Sequence, residues 1–500
     1  MKYQVLGVPP QEIANVEAAL KIMDHAAEIT DQDPDLRLEA FISDDFQVKV
    51  RLFGLSGAEE IWEFKDQEIE DPRYNNNDRR QRRKELIRLG VIAVAGAYLG
   101  RRPPPWGILS GVRPTKIFHY LRDHGFSLAE IRDKLTALYG LAPKKAGRLI
   151  EIGRLQEKYL RARTDCPLPA KGAPRLISLY AGIPFCPSRC RYCSFAAVSL
   201  ESHGHLVKDF IRSFEEEIRV MGALCRELNL AVETVYVGGG TPTSLDDESF
   251  GRILKLLTGN FCSAATVEYT VEAGRPETIS PAKLGIMSEC GVTRISVNPQ
   301  SMNQKTLERI GRGHTIADVY NAVDLVRRFP TLRLNMDLIL GLPGEAGADF
   351  NQSLAQVLQF SPENITIHTL APKRAASWRK SFNNLELPDE TGLAATLERA
   401  VDCLQTLNYD PYYLYRQRFI LADQENIGFT KPGQECVYNI QMMEERQSIL
   451  GLGGGAVTKW VAGSDYRVYR EQNPKCPATY SHRLSGLLVK KVQQSRLLLG

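Results

Sequence analysis

Residues 182–195, "GIPFCPSRCRYCSF", gather Cys186, Cys190 and Cys193 within eight positions and supply no fourth thiol nearby. A structural zinc site closes with four ligands, and a catalytic one usually with three and a water. Three thiolates on a four-iron cluster would instead leave one iron open to a further ligand. The alternatives are a zinc ion that borrows a remote histidine or cysteine, and three coincidental thiols. The loop is bounded by prolines and aromatics, which would limit solvent access and so bear on redox potential. Cys166, Cys225, Cys262, Cys290, Cys403, Cys436 and Cys476 are scattered and read as structural thiols.

Outward from this loop the chain alternates. Strand-like runs at 176–180, 234–237, 267–271, 294–297, 332–340 and 365–370 are separated by helical segments at 206–228, 247–257, 281–290, 304–310 and 348–359. Alternating β and α elements call for a parallel sheet with right-handed crossovers. Six units fall short of the eight of a closed barrel, so the α/β fold expected is a partial (β/α)6 barrel with an open lateral mouth. Ligands in such folds lie at the C-terminal ends of the strands. The cysteine loop follows the first strand, "GGGTPT" (238–243) the second, Glu272 ends the third, Gln300 follows the fourth, and Asp337 with "GLPGE" belongs to the fifth. The unusual residues therefore share one rim.

The 500 residues exceed one ordinary core, and 43% apolar with 24% charged residues is a globular composition. Residues 1–165 mix strand-like runs (2–8, 36–42, 46–53) with helical ones. In 11–24, Ile13, Val16, Leu20 and Met23 recur at helical spacing, Asp44-Asp45 suggests a hairpin turn, and helices are expected from Pro114, Ser127 and Pro143. The expected division is an N-terminal α+β domain with a helical connector (1–165), the barrel (166–375), and a mainly helical region covering the substrate (376–500). A net charge of +4 argues against a nucleic-acid partner; "RRQRRK" (79–84) reads as a solvated helix face in preference to an anion patch. The apolar run 89–100 is shorter than the roughly 18–20 residues of a membrane span, and no secretory signal opens the chain. The expectation is a cytoplasmic protein whose thiols stay reduced.

Cys-x3-Cys-x2-Cys with Tyr192 before the third cysteine, at the end of the first strand of a β/α series, resembles the signature of the radical S-adenosylmethionine (SAM) enzymes. Together with "SLYAGIPFCPSRCRYCSF", "VYVGGGTPTSL", "VEAGRPETI", "GVTRISVNPQS", "IGRGH" and "NMDLILGLPGE", it resembles the oxygen-independent coproporphyrinogen III oxidases, or coproporphyrinogen dehydrogenases. "WGILSGVRPTKI", "HTLAPKRA" and "YYLYRQRF" resemble the longer form with an additional N-terminal domain.

The resemblance implies a 4Fe-4S cluster on Cys186, Cys190 and Cys193, its open iron chelated by SAM. It implies that Tyr180 and Tyr192 pack against SAM, that the Gly239-Gly240-Thr241 backbone faces its methionine part, and that Glu272 bonds the ribose. Gln300, Arg312, Asp337, Ala371 and Val457 take the remaining contacts with one or two SAM molecules. Alone, Arg312 would read as a helix end, Asp337 as a turn residue and Glu272 as a strand-end charge. The implied reaction is oxidative decarboxylation of two propionates of coproporphyrinogen III to vinyl groups, giving protoporphyrinogen IX, with a reduced flavodoxin or ferredoxin as electron donor. No catalytic side chain is assigned.

A flat macrocycle with four carboxylates suits basic clamps and aromatic faces, for which Lys373, Arg374, Arg416 and Arg418 beside Tyr412, Tyr413 and Tyr415 are candidates. Arg416 equally reads as an anchor of the C-terminal region. His314 and His368 read as satisfied imidazoles, and "GLGGGAV" (451–457) reads as following a helical run, which argues against a dinucleotide loop. An enclosed radical site would suit a monomer. Two departures stand out: Phe195 replaces a further cysteine, and Gly182 a histidine, of the best-characterised branch. Relatives with these features include haem chaperones and haem-modifying methyltransferases, which are the alternative functions.

Overall fold

The computed structural model describes residues 1–500 apart from 25, 44–46, 55–56, 66–75, 110, 112, 161–172, 372–375, 377, 379–384, 418–419 and 464–465. The chain forms two compact units, Met1–Arg154 and Leu155–Gly500. The first contains β1 (Lys2–Leu6), α1 (Pro10–Met23), β2 (Glu28–Ile29), β3 (Leu36–Ile42), β4 (Gln47–Gly54), β5 (Glu59–Lys65), α2 (Asn76–Leu99), α3 (Thr115–Asp123) and α4 (Leu128–Asp133). Its sheet runs β2-β1-β3-β4-β5, parallel at β1 and antiparallel from β3 onward. Val16, Leu20 and Met23 of α1 are buried, as the helical spacing requires. Ile42 stands opposite Val48, so β3 and β4 form a hairpin; Asp44-Asp45 itself lies outside the described residues. Ser127 caps α4 through a capping box with Glu130. The basic run falls in α2, yet it is not uniformly solvated: Arg82 turns inward and pairs with Glu85 at 3.1 Å.

α5 (Pro143–Gln156) belongs to the first unit up to Arg154; the second unit then carries β6 (Arg175–Ile183), β7 (Phe185–Cys186), β8 (Val198–Ser199), α6 (Leu200–His203), α7 (Val207–Glu227), β9 (Leu230–Gly239), α8 (Asp247–Phe261), β10 (Glu268–Glu272), α9 (Pro281–Glu289), β11 (Arg294–Ser296), α10 (Gln304–Arg309), α11 (Ile316–Arg327), β12 (Arg333–Leu340), α12 (Gly347–Gln359) and β13 (Asn364–Thr369). β6, β9, β10, β11, β12 and β13 are parallel neighbours in chain order, the six expected β/α units. Their near-continuous burial fits strands covered on both faces. The covering helices are amphipathic: α7 buries Phe210, Phe214, Ile218 and Met221 at helical spacing.

The C-terminal region carries α13 (Glu390–Thr406), β14 (Asp410–Tyr415), β15 (Asn426–Thr430), α14 (Val437–Glu444), β16 (Ile449–Gly453), β17 (Val457–Ala462), β18 (Arg467–Gln472) and α15 (Pro477–Leu499). It holds more helix than strand, and its strands extend both edges of the sheet to the order β14-β15-β13-β12-β11-β10-β9-β6-β16-β17-β18. Residues 451–457 are corrected here: they do not follow a helical run directly but form the end of β16 and its turn into β17, with β16 parallel to β6. Their glycines permit close approach, since a Cβ at Gly453 (φ 84°) would stand 2.2 Å from the Gly182 carbonyl oxygen. Among the described residues no helix is long and apolar enough to cross a membrane.

Candidate functional site

β6 delivers the chain through Pro184 into the thiol loop, and the short β7–β8 pair brackets it. Cys190 is buried, while Cys186 and Cys193 are half-buried. The glycine shelf at the end of β9 is stitched to this loop: Gly240 N–H donates to Ile183 O at 2.8 Å and Thr241 N–H to Phe185 O at 2.7 Å. Thr241 Oγ1 lies 3.4 Å from Cys186 Sγ. A Cβ at Gly240 would stand 2.3 Å from Phe185 O and 3.0 Å from Cys186 Sγ, so this approach requires glycine. Two shelf donors are thus committed to the loop, and what the shelf presents to a ligand is bare backbone. Burial pushes the Cys186 thiol up to about 11, against the Thr241 hydrogen bond and the Arg275 charge.

Two buried guanidiniums flank the thiols. Arg275 donates to Cys190 Sγ at 3.1 Å, and Arg312 donates to the Tyr192 hydroxyl at 3.3 Å and to the carbonyls of Gly274 and Asn298, each at 2.5 Å. Arg312 also donates to His314 Nδ1 at 3.3 Å. Burial and the neighbouring Arg312 and Arg275 charges hold His314 down to about 3, so it is a neutral acceptor. Tyr192 packs on an apolar cluster that includes Leu307, Ile310 and Trp378.

The barrel interior is lined by aromatics and carboxylates. Tyr180 of β6, Tyr236 of β9 and Tyr438 of α14 stack, with the Tyr236 and Tyr438 centroids 4.5 Å apart. The Tyr236 hydroxyl donates to Glu272 Oε1 at 2.5 Å. Asp337 accepts from Asn335 at 2.9 Å and faces His368 Nε2 at 3.5 Å, while His368 Nδ1 meets the Tyr415 hydroxyl at 3.1 Å. Gln300 bridges to β12 by hydrogen bonds with Asp337 O and Ile339 N and holds φ at 69°. Such a conformation is uncommon in a non-glycine residue. Gln300 Oε1 and Asn298 Oδ1 are buried with no hydrogen-bond partner among the described residues. They are acceptors left over for a ligand's donors.

Burial raises the Glu272 carboxyl to about 7, with the Asp337 charge adding to it and the Tyr236 hydroxyl, the Gly239 N–H and His368 opposing it. A carboxyl whose pKa rises on folding from 4.5 favours the folded state below 4.5 and loses that contribution as pH climbs through 7. Glu272→Gln should therefore gain on the wild type between pH 5 and pH 8 by up to about 3 kcal/mol, read from urea midpoints. Parallel pH profiles of the two proteins would refute it.

Other expected residues divide. Ala371 is buried just after β13, and Val457 opens β17 against Gly451, which pairs with Tyr180. Lys373, Arg374 and Arg418 lie outside the described residues. Arg416 is corrected: it is buried and bonded to Asp423 and to Gln424 O, so it anchors its own loop and is no clamp for a substrate. Tyr412 is wholly buried and accepts from Asn439, leaving Tyr415 as the half-buried member of its group. Unforeseen members of the site are Tyr236, Tyr438 and Arg275.

A parallel partial barrel with three thiols beyond its first strand, a glycine shelf beyond its second and polar acceptors on the same rim defines a radical SAM protein. Residues 180–357 match the Radical SAM superfamily. The chain is 36% identical over 389 residues to the oxygen-independent coproporphyrinogen-III oxidase-like protein HemZ of Bacillus subtilis, covering 78% of this chain and 76% of that one. It is 28% identical over 306 residues to the heme chaperone HemW of Escherichia coli, covering 60% and 74%. The solved coproporphyrinogen III oxidase HemN of E. coli superposes with a TM-score of 0.50 at 21% identity, covering 63% and 70%, which bears on the fold. The chain belongs to the family of oxygen-independent coproporphyrinogen III oxidase-like radical SAM proteins.

This fold implies a 4Fe-4S cluster and SAM. Among the described residues no three His, Cys, Asp or Glu gather as a single metal ion would need. A four-iron cluster attaches each thiolate through a different iron and makes no such demand. The donor set fits it: three thiols, an electropositive flank from Arg275 and Arg312, and unpaired acceptors at Gln300 and Asn298.

Proposed function

We propose that this protein carries out radical SAM oxidative decarboxylation of two propionate side chains of coproporphyrinogen III, giving protoporphyrinogen IX. The observation that carries the reading is the convergence of the thiol loop, the glycine shelf, Glu272, Gln300 and Asp337 on one rim above an aromatic interior. In it, Cys186, Cys190 and Cys193 hold the cluster, and Tyr180, Tyr192, Gly239, Gly240, Thr241, Glu272, Gln300, Arg312, Asp337, Ala371 and Val457 hold one or two SAM molecules. When bound, these groups supply a 5'-deoxyadenosyl radical able to take hydrogen from a propionate β-carbon, after which carbon dioxide and one electron leave. The chain's own work is to orient and to exclude water. Glu272, fixed by Tyr236, accepts from ribose hydroxyls; Gln300 Oε1 accepts a further donor; the Tyr180, Tyr236 and Tyr438 stack walls the interior.

The test is anaerobic: reconstituted protein with reductant, SAM and coproporphyrinogen III, with deoxyadenosine and tetrapyrroles followed by mass spectrometry. Stepwise loss of two carbon dioxide units is expected; deoxyadenosine without decarboxylation would overturn the substrate. A second reading, haem binding and delivery, is favoured by Phe195, 62% exposed where the enzyme branch has a further cysteine, and by the likeness to heme chaperones. Stoichiometric haem binding without porphyrinogen turnover is its outcome in the same preparation.

A further inference from the structure

We propose that Arg275 sets the reduction potential of the cluster by donating a hydrogen bond from a buried guanidinium to the sulfur of Cys190. The inference rests on the reading that Cys186, Cys190 and Cys193 hold a cluster. Arg275 lies in the loop after β10, three residues beyond Glu272 at the strand's end, and is 2% exposed. One terminal nitrogen is within hydrogen-bonding reach of three acceptors of the thiol loop: Ser188 O at 2.9 Å, Ser188 Oγ at 3.1 Å and Cys190 Sγ at 3.1 Å. Its carboxylate partner is Glu277, met through the other terminal nitrogen at a loose 3.5 Å. The positive charge is thus incompletely balanced and points at a sulfur.

Hydrogen bonds to ligand sulfurs and local charge are the protein's levers on cluster potential. The reduced state carries one more electron than the oxidised one, and a guanidinium beside a ligating sulfur stabilises that extra negative charge. In a buried site of low dielectric this attraction is weakly screened. The same nitrogen carries two hydrogens, so one N–H directed to Ser188 holds the guanidinium against the loop while the other reaches Cys190 Sγ. Arg275 is a positioning residue, since it acts through Cys190.

The experiment is a redox titration of the anaerobically reconstituted full chain, poised with dithionite and followed by the electron paramagnetic resonance of the reduced cluster, with iron and sulfide counted separately. Arg275→Gln keeps a hydrogen-bonding group and removes the charge. At a fixed poise its reduced-to-oxidised ratio should fall about tenfold, which is about 59 mV for one electron. Arg275→Lys keeps the charge without the fork and should lie between Gln and wild type. A midpoint does not depend on occupancy, so a variant that loads poorly is still read. Coincident midpoints for the three proteins would overturn the role of Arg275 alone. A wild type that takes up no iron and sulfide would overturn the cluster reading and this inference with it.

Discussion

Replacing Cys186, Cys190 and Cys193 together by alanine should abolish both the brown absorbance of the reconstituted protein and its cleavage of SAM, while leaving the fold in place. Iron in a cluster of this kind is held by thiolates, and with all three gone the loop offers none. The loop backbone depends on them little. Cys193 N bonds Cys190 O, Gly240 N bonds Ile183 O and Thr241 N bonds Phe185 O, all between main-chain atoms, and the long contact from Phe195 N–H to Cys193 Sγ at 3.5 Å is what the backbone loses. Cys190 alone of the three is buried, so the lost packing is small and circular dichroism should be unchanged. Cys225→Ala supplies the contrast. That thiol is buried in the apolar face of α7, and its removal should lower stability while iron uptake stays complete. A triple variant that keeps both absorbance and SAM cleavage would overturn the assignment of the ligands.

The barrel was legible because its parallel strands are covered on both faces and so appear as short apolar runs, such as 294–297 and 332–340, between helical periods. Their order needed no further information, since each unit pairs with the next. α11 is written in Thr315 and Asp318, which form a capping box, and in Val319, Val323 and Val326 at helical spacing, though the run of glycine and polar residues before it hides its start. β14 to β18 were not legible in the same way. Consecutive strands among them pair antiparallel, but the set is tied to the barrel by long-range pairings, β15 antiparallel to β13 and β16 parallel to β6, and nothing local in "GLGGGAV" says that its glycines answer to Gly182 and Pro184. The same limit applies to the site. Motif positions can be named one by one from sequence, but the pairing of Tyr236 with Glu272, or of Arg275 with Cys190, joins separate strands and loops.

Lys491→Met should destabilise the barrel unit by about 3–5 kcal/mol, because it breaks an ion pair sealed from water. Lys491 of α15 and Glu217 of α7 are both fully buried and 2.6 Å apart. Glu217 also accepts from Gly453 N–H at 2.6 Å, Tyr480 O–H at 2.6 Å and Asn473 Nδ2 at 3.2 Å, whereas among the described residues Lys491 has, besides Glu217, only Gly451 O at 2.5 Å. The carboxylate stranded by Lys491→Met therefore retains three donors. The ammonium stranded by Glu217→Met retains one acceptor, so this second substitution should be the more damaging. The double replacement should recover part of the loss and no more, since Gly453 N–H and Tyr480 would lose the Glu217 acceptor, while Asn473 keeps Gly453 O at 2.7 Å. The consequence reaches the thiol loop. Glu217 holds the end of β16, and Gly454 N–H there donates to Gly182 O at 3.0 Å, at the entrance to the cysteines. Urea midpoints should rank wild type above the double variant, then Lys491→Met, then Glu217→Met, with iron loading falling in the same order. A Glu217→Met protein as stable as Lys491→Met would refute this account of how the pair is held.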